Sequence, residues 1–155
     1  MDELPQAIDC TMPQPFFISC KLPAVRLYEL SDGRFQLIEQ GPIAPWMSGY
    51  RYLLVDSELA LFLRNLGLER VRQEPAVLWN RATGEEMRTH VRLHVSLFFT
   101  ENLLSDLPLD GLRLLTFNDE YYFASPELKA SLEASPFGEY LQFSEGFSEF
   151  AKGEA

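Results

Sequence analysis

The chain has 155 residues, of which 46% are hydrophobic and 13% aromatic, with twelve Phe; that is one domain's length with enough apolar material for a core, and it excludes a disordered or low-complexity chain. The formal net charge of −10 is unevenly spread: residues 101–155 carry eleven Asp/Glu against three Lys/Arg, whereas residues 51–100 come out at +1. Nucleic acids and anionic membrane surfaces attract cations that displace their counterions, so this balance argues against both and favours a basic protein partner.

The start, MDELPQAIDC, is acidic and lacks the basic and apolar regions of a secretory signal, and no segment reaches the ~18 consecutive apolar residues of a membrane helix. The expected location is the cytoplasm. Cys10 and Cys20 are ten residues apart, which fits neither a paired zinc-site spacing nor a thioredoxin-like motif. Reduced thiols are expected, although one disulfide between them is chemically possible.

Six prolines in the first fifty residues (Pro5, Pro13, Pro15, Pro23, Pro42, Pro45) permit short strands and loops but no long helix. Residues 24–30 and 34–39 flank Ser31-Asp32-Gly33 and predict a β-hairpin. Residues 46–50 read as an irregular connection. The string RYLLVD at 51–56 predicts a buried strand, and Asp56-Ser57 can cap a helix whose apolar positions are Leu59, Phe62, Leu63 and Leu66, with Gly67 placed to end it. Residues 71–79 and 85–99, separated by Asn80-Arg81-Ala82-Thr83-Gly84, predict a long antiparallel hairpin. Within it Met87, Thr89, Val91, Leu93 and Val95 alternate with Arg88, His90, Arg92 and His94, so one face is expected in the core and the other polar.

Residues 112–117 and 121–124 predict a second short pair about Asn118-Asp119. Ser125-Pro126-Glu127 offers a cap, a first-turn proline and a first-turn acid for a helix running to about residue 135, where Pro136 stops it. A shift of 69 residues lays Asp56-Ser57-Glu58-Leu59 on Ser125-Pro126-Glu127-Leu128. The reading is two strand-helix-strand units over residues 50–146 behind a proline-rich hairpin segment at 1–49. The expected fold is a single α+β domain: a mixed, mainly antiparallel sheet with principal helices at about 57–66 and 126–135 packed on it.

Catalytic signals are sparse. His90 and His94 would lie about 13 Å apart on a strand at ~3.3 Å per residue, too far to ligate one metal ion. Ser57 and Ser96 have no diagnostic neighbours, no nucleophile-elbow motif occurs, and the nine glycines form no phosphate-binding loop. The carboxylate pairs Glu85-Glu86 and Asp119-Glu120 fall at turns, where acids are ordinary surface residues. No catalytic residue, metal or cofactor is assigned. Residues 139–150 interleave aromatics with carboxylates, which suits either a last strand burying Tyr140 or Leu141, or an acidic aromatic surface that docks on a cationic cleft.

The strings YRYLLVDSELALFLRNLGL, LWNRATGEE, DGLRLLTF and above all YYFASPELKASLEASPFGEYLQFSEG, spanning roughly the last two-thirds of the chain, resemble bacterial immunity proteins of the polymorphic-toxin type. The resemblance implies a small cytoplasmic, non-enzymatic protein that binds and neutralises a cognate toxin without a cofactor. Charge and exposure nominate the contact residues: Asp119, Glu120, Glu139, Tyr140, Glu145, Phe147 and Glu149 as the acidic aromatic surface, and Arg88, His90, Arg92 and His94 as a partner-binding stripe. An acidic inhibitor suits a toxin with a basic cleft. The alternatives are a non-catalytic adaptor for a secretion-system component and a small enzyme using His90 and His94.

Overall fold

The computed structural model describes residues 14–22, 25–39, 41, 43–49, 51–99, 109–118 and 120–146. The strands in chain order are β1 (Phe16–Cys20), β2 (Leu27–Glu29), β3 (Phe35–Leu37), β4 (Trp46–Gly49), β5 (Tyr52–Asp56), β6 (Val71–Pro75), β7 (Leu78–Asn80), β8 (Glu85–Met87), β9 (His90–Val95), β10 (Phe98–Phe99), β11 (Leu114–Phe117), β12 (Tyr121–Ala124) and β13 (Leu141–Glu145). Helix α1 spans Ser57–Leu66, helix α2 spans Pro126–Glu133, and a 3-10 turn follows at Pro136–Glu139. The α+β class holds, with mainly antiparallel pairing, but the strands divide among three sheets. These are β10-β11-β12-β1-β13, β2-β3-β7-β8 and β4-β5-β9-β6.

Strand β5 explains the division. Its four apolar residues Tyr52, Leu53, Leu54 and Val55 are all buried, which a strand achieves only with both faces covered. Leu53 and Val55 face a core shared with Leu59, Ala60 and Leu63 of α1, Leu128 and Leu132 of α2, and Ile18, Leu114, Tyr122, Ala124 and Leu141 of the β1-containing sheet. Tyr52 and Leu54 face a second core with Val25, Leu27, Phe35 and Leu78 of the β2-containing sheet. A third cluster, Phe99, Leu109, Leu115 and Phe123, lies on the outer face of the β1-containing sheet.

The repeated capping chemistry at 56 and 125 marks a repeated topology. In one half β4 and β5 pair antiparallel, α1 follows, and β6 returns parallel to β5 with β9 between them. In the other β11 and β12 pair antiparallel, α2 follows, and β13 returns parallel to β12 with β1 between them. The central strand of the second half comes from residues 16–20, which precede both units in the chain.

Other expectations change in detail. The hairpin of β2 and β3 forms with Gly33 at φ 93, and Gly67 ends α1 at φ 72. Residues 46–49 are a strand and not an irregular connection, with Trp46 and Met47 buried on opposite faces. Helix α2 stops at Glu133, two residues early, because Ser135 re-caps the chain for the 3-10 turn. The long hairpin over 71–99 is broken: β7 and β8 pair in one sheet while β6 and β9 pair in another. Leu141 is the buried residue of the last strand, and Tyr140 is 37% exposed. Cys10 lies outside the described residues, as do Asp119, Phe147 and Glu149.

Candidate functional site

The chain changes sheets between Met87 and His90, and this break redistributes the predicted polar stripe. Thr89 accepts hydrogen bonds through its carbonyl O from Ser57 N at 3.0 Å and Ser57 Oγ at 2.9 Å, which ties the break to the start of α1. Met87 packs on the second core whereas Val91, Leu93 and Val95 pack on the first, so the alternation does not run through residue 89. His90 is buried at 5% exposure, not on a polar surface. Its Nε2 donates to the Ala44 carbonyl O at 2.8 Å, leaving Nδ1 to meet Thr89 Oγ1 at 2.9 Å. The imidazole thereby pins the segment before β4 to the start of β9, and both ring nitrogens are occupied. Arg88 is exposed and pairs with Glu86 of β8 at 3.1 Å.

Arg92 and His94 reach a different place. Across the β6–β9 ladder Arg72 lies opposite His94 and Glu74 opposite Arg92, so these four share one face. Arg72, Arg92 and His94 line an open cleft of about 660 Å³ at the end of the sheet where β5 and β6 begin and β9 ends. Arg51, Arg70 and Ser96 complete its polar lining, and Phe98 and Tyr122 of the neighbouring sheet form its apolar wall. Arg70 donates from Nε to Ser96 Oγ at 3.2 Å and from Nη2 to Ser96 O at 3.0 Å. Arg92 donates to Glu29 Oε2 at 2.8 Å and to the Arg51 carbonyl O at 2.7 Å, and its guanidinium lies 5.4 Å from the Phe35 ring centroid. His94 Nε2 and Glu74 Oε1 are 2.7 Å apart, and this contact lowers the Glu74 carboxyl below its ordinary range. Arg51 and Arg70 both adopt the left-handed backbone, at φ 71 and φ 65. A non-glycine residue there costs on the order of 1–3 kcal/mol, and such strain gathers at sites that must hold a geometry.

The opposite end of β5 is acidic. Asp56 accepts from Glu58 N at 2.7 Å as the cap of α1, and a groove of about 250 Å³ there is lined by Asp56, Glu58, Ile43, Pro45, Phe137 and Tyr140. Glu139 precedes Tyr140 at the end of the 3-10 turn, held in place by the Tyr140 carbonyl O accepting from Lys21 N at 2.7 Å. Asp56 is five positions after Arg51, so at ~3.3 Å per residue the basic cleft and the acidic groove are about 16 Å apart along one strand. Of the nominated acidic aromatic surface, Tyr140 lines this groove and Glu139 precedes it in the chain. Glu120 precedes β12 at the same end of its sheet, since β1 runs antiparallel to both β12 and β13, whereas Glu145 lies opposite Phe16 at the far end.

The sequence reading nominated Arg92 and His94 but missed Arg51, Arg70, Arg72 and Phe98. The available signal was compositional: every Lys/Arg in residues 51–100 is arginine, in an otherwise acidic chain. Among the described residues no group of three or more His, Cys, Asp or Glu is placed to hold a metal ion, and no helix is long and apolar enough to cross a membrane. Comparison with protein-family models, with curated proteins and with solved structures found no match.

Proposed function

We propose that this chain is a non-catalytic cytoplasmic binding protein of the toxin-immunity kind, which neutralises a bacterial toxin without a cofactor and docks through its acidic aromatic groove. The observation that carries the reading is the meeting of Asp56 and Glu58 with the half-exposed Tyr140 in one groove, with Glu139 next to Tyr140 in the chain. A large amphipathic ring amid carboxylates supplies contact area and electrostatic register to a cationic cleft. The employment of His90 in holding two segments together also favours binding over catalysis, because an enzyme built on His90 and His94 would need both rings at one solvent-accessible point.

The test is to express the product of the neighbouring gene alone and with this chain. Toxicity of the neighbour that is relieved by co-expression, together with a stable complex, supports the proposal; a harmless neighbour that is not retained refutes it. In that complex Tyr140→Ala and Glu139→Lys should each weaken affinity by about tenfold or more, a central hot-spot effect. The association rate should fall steeply with added salt, since opposite fields accelerate encounter only where they are unscreened. A salt-independent rate would remove the electrostatic part of the reading.

A further inference from the structure

The geometry points to the arginine cleft as a binding site for a nucleoside phosphate. Four arginines line it from four separate places in the chain: Arg51 at the β4–β5 turn, Arg70 in the connection after α1, Arg72 on β6 and Arg92 on β9. A chain of net charge −10 places four of its thirteen Lys/Arg around this one concavity. Glu29 pairs with Arg92 and Glu74 lies opposite it on β6, so the donors a ligand would engage are those of Arg70 and the exposed Arg72. The planar fork of arginine matches phosphate oxygens in pairs, and a phosphate chain can engage several forks at once.

The donors are partly pre-set and partly open. Arg70 uses Nε and Nη2 on Ser96, which fixes its plane and leaves Nη1 directed elsewhere. Arg92 is committed to Glu29 and the Arg51 carbonyl, so it acts as a fixed positive wall that also holds the strained Arg51 backbone. Arg72 is exposed and sits beside His94 on the adjacent strand. Phe98, 56% exposed at the rim, offers a face on which a base can stack. The cleft's volume of about 660 Å³ lies within the ~300–1,000 Å³ of small-molecule sites. The acidic groove about 16 Å away is beyond a Debye length of ~8 Å at physiological salt, so its repulsion of an anion in the cleft is largely screened.

This site goes beyond the toxin-binding reading and is tested on the chain alone. Isothermal titration of the full chain at physiological salt would use ATP, AMP, adenosine, inorganic pyrophosphate and a glutamate hexapeptide as probes. ATP is expected to bind with a Kd of about 100 µM or tighter, AMP more weakly, and adenosine not measurably. Arg72→Glu, at an exposed position that leaves the core intact, should weaken ATP at least tenfold while circular dichroism stays native. Arg70→Lys should also weaken ATP, because a point charge does not replace the fork. Phe98→Ala should weaken ATP about fivefold or more and leave pyrophosphate unchanged. ATP binding weaker than about 1 mM, an unaltered Kd in Arg72→Glu, loss of the Phe98 effect, or tighter binding of the acidic hexapeptide than of ATP would each overturn the proposal.

Discussion

At the residue scale, Tyr52 couples two sheets through one hydroxyl. Its ring covers Gly49, where an added Cβ would stand 2.5 Å from the ring carbon, and it packs against Phe35 at a centroid distance of 5.5 Å. The hydroxyl accepts from Leu27 N at 3.3 Å, and burial pushes the phenol above its ordinary value of 10.0. Because the folded value is raised, the unfolded chain loses this proton first as pH rises. The associated stability is therefore fully present below the unfolded value near 10 and is lost as pH climbs through the folded one. Urea midpoints measured from pH 8 to 11 should fall above pH 10 in the native chain and fall less in Tyr52→Phe, which itself costs about 1 kcal/mol at neutral pH. Parallel curves would deny Tyr52 this part. The burial of Tyr52 follows from the apolar run at 52–55, but its partner Leu27 lies 25 residues away and no local pattern names it.

At the element scale, two helices with the same cap position depend on their caps to different degrees. Asp56 satisfies one amide of α1, Glu58 N, from a half-exposed position. Ser125 is fully buried and makes three bonds: Oγ accepts from Arg113 N at 2.9 Å and Leu128 N at 3.3 Å and donates to Gly111 O at 2.7 Å. Asp56→Ala should cost about 1 kcal/mol, the loss of an ordinary cap. Ser125→Ala should cost more, about 2 kcal/mol, because it removes the partner of two backbone amides, Arg113 N and Leu128 N, together with the bond to Gly111 O. Denaturant titrations that rank the two the other way would refute this account. The caps, the helices and the hairpin of β11 and β12 were legible because their signals lie within a few residues of each other. Strand β4 was not, since Pro42, Pro45 and Gly49 crowd it and only pairing with β5 makes it extended.

At the scale of the whole molecule, the two half-units share a core in which residues of both helices meet. Leu59 on α1 and Leu128 on α2 are each fully buried there, so truncating either to Ala should remove about 2–5 kcal/mol. Unfolding should remain one transition in both variants, followed alike by Trp fluorescence and far-UV circular dichroism. Separate transitions by the two probes would mean that the halves unfold independently. The same arrangement polarises the molecule, with arginines at the start of β5 and carboxylates at its end. Net charge alone described neither pole.

The sequence by itself determined the α+β class, both helices with their caps, the hairpin of β2 and β3, the repeated unit at a spacing of 69 residues and the acidic excess, because each rests on local periodicity, capping chemistry or composition. Tertiary structure alone decided the division into three sheets, the turn inward of His90, and the meeting of Arg51, Arg70, Arg72 and Arg92 in one cleft. Those outcomes depend on which distant strands pair and on where the chain leaves one sheet for another. A side chain's face is set by that pairing, and a two-residue break at 88–89 is enough to move it from surface to core.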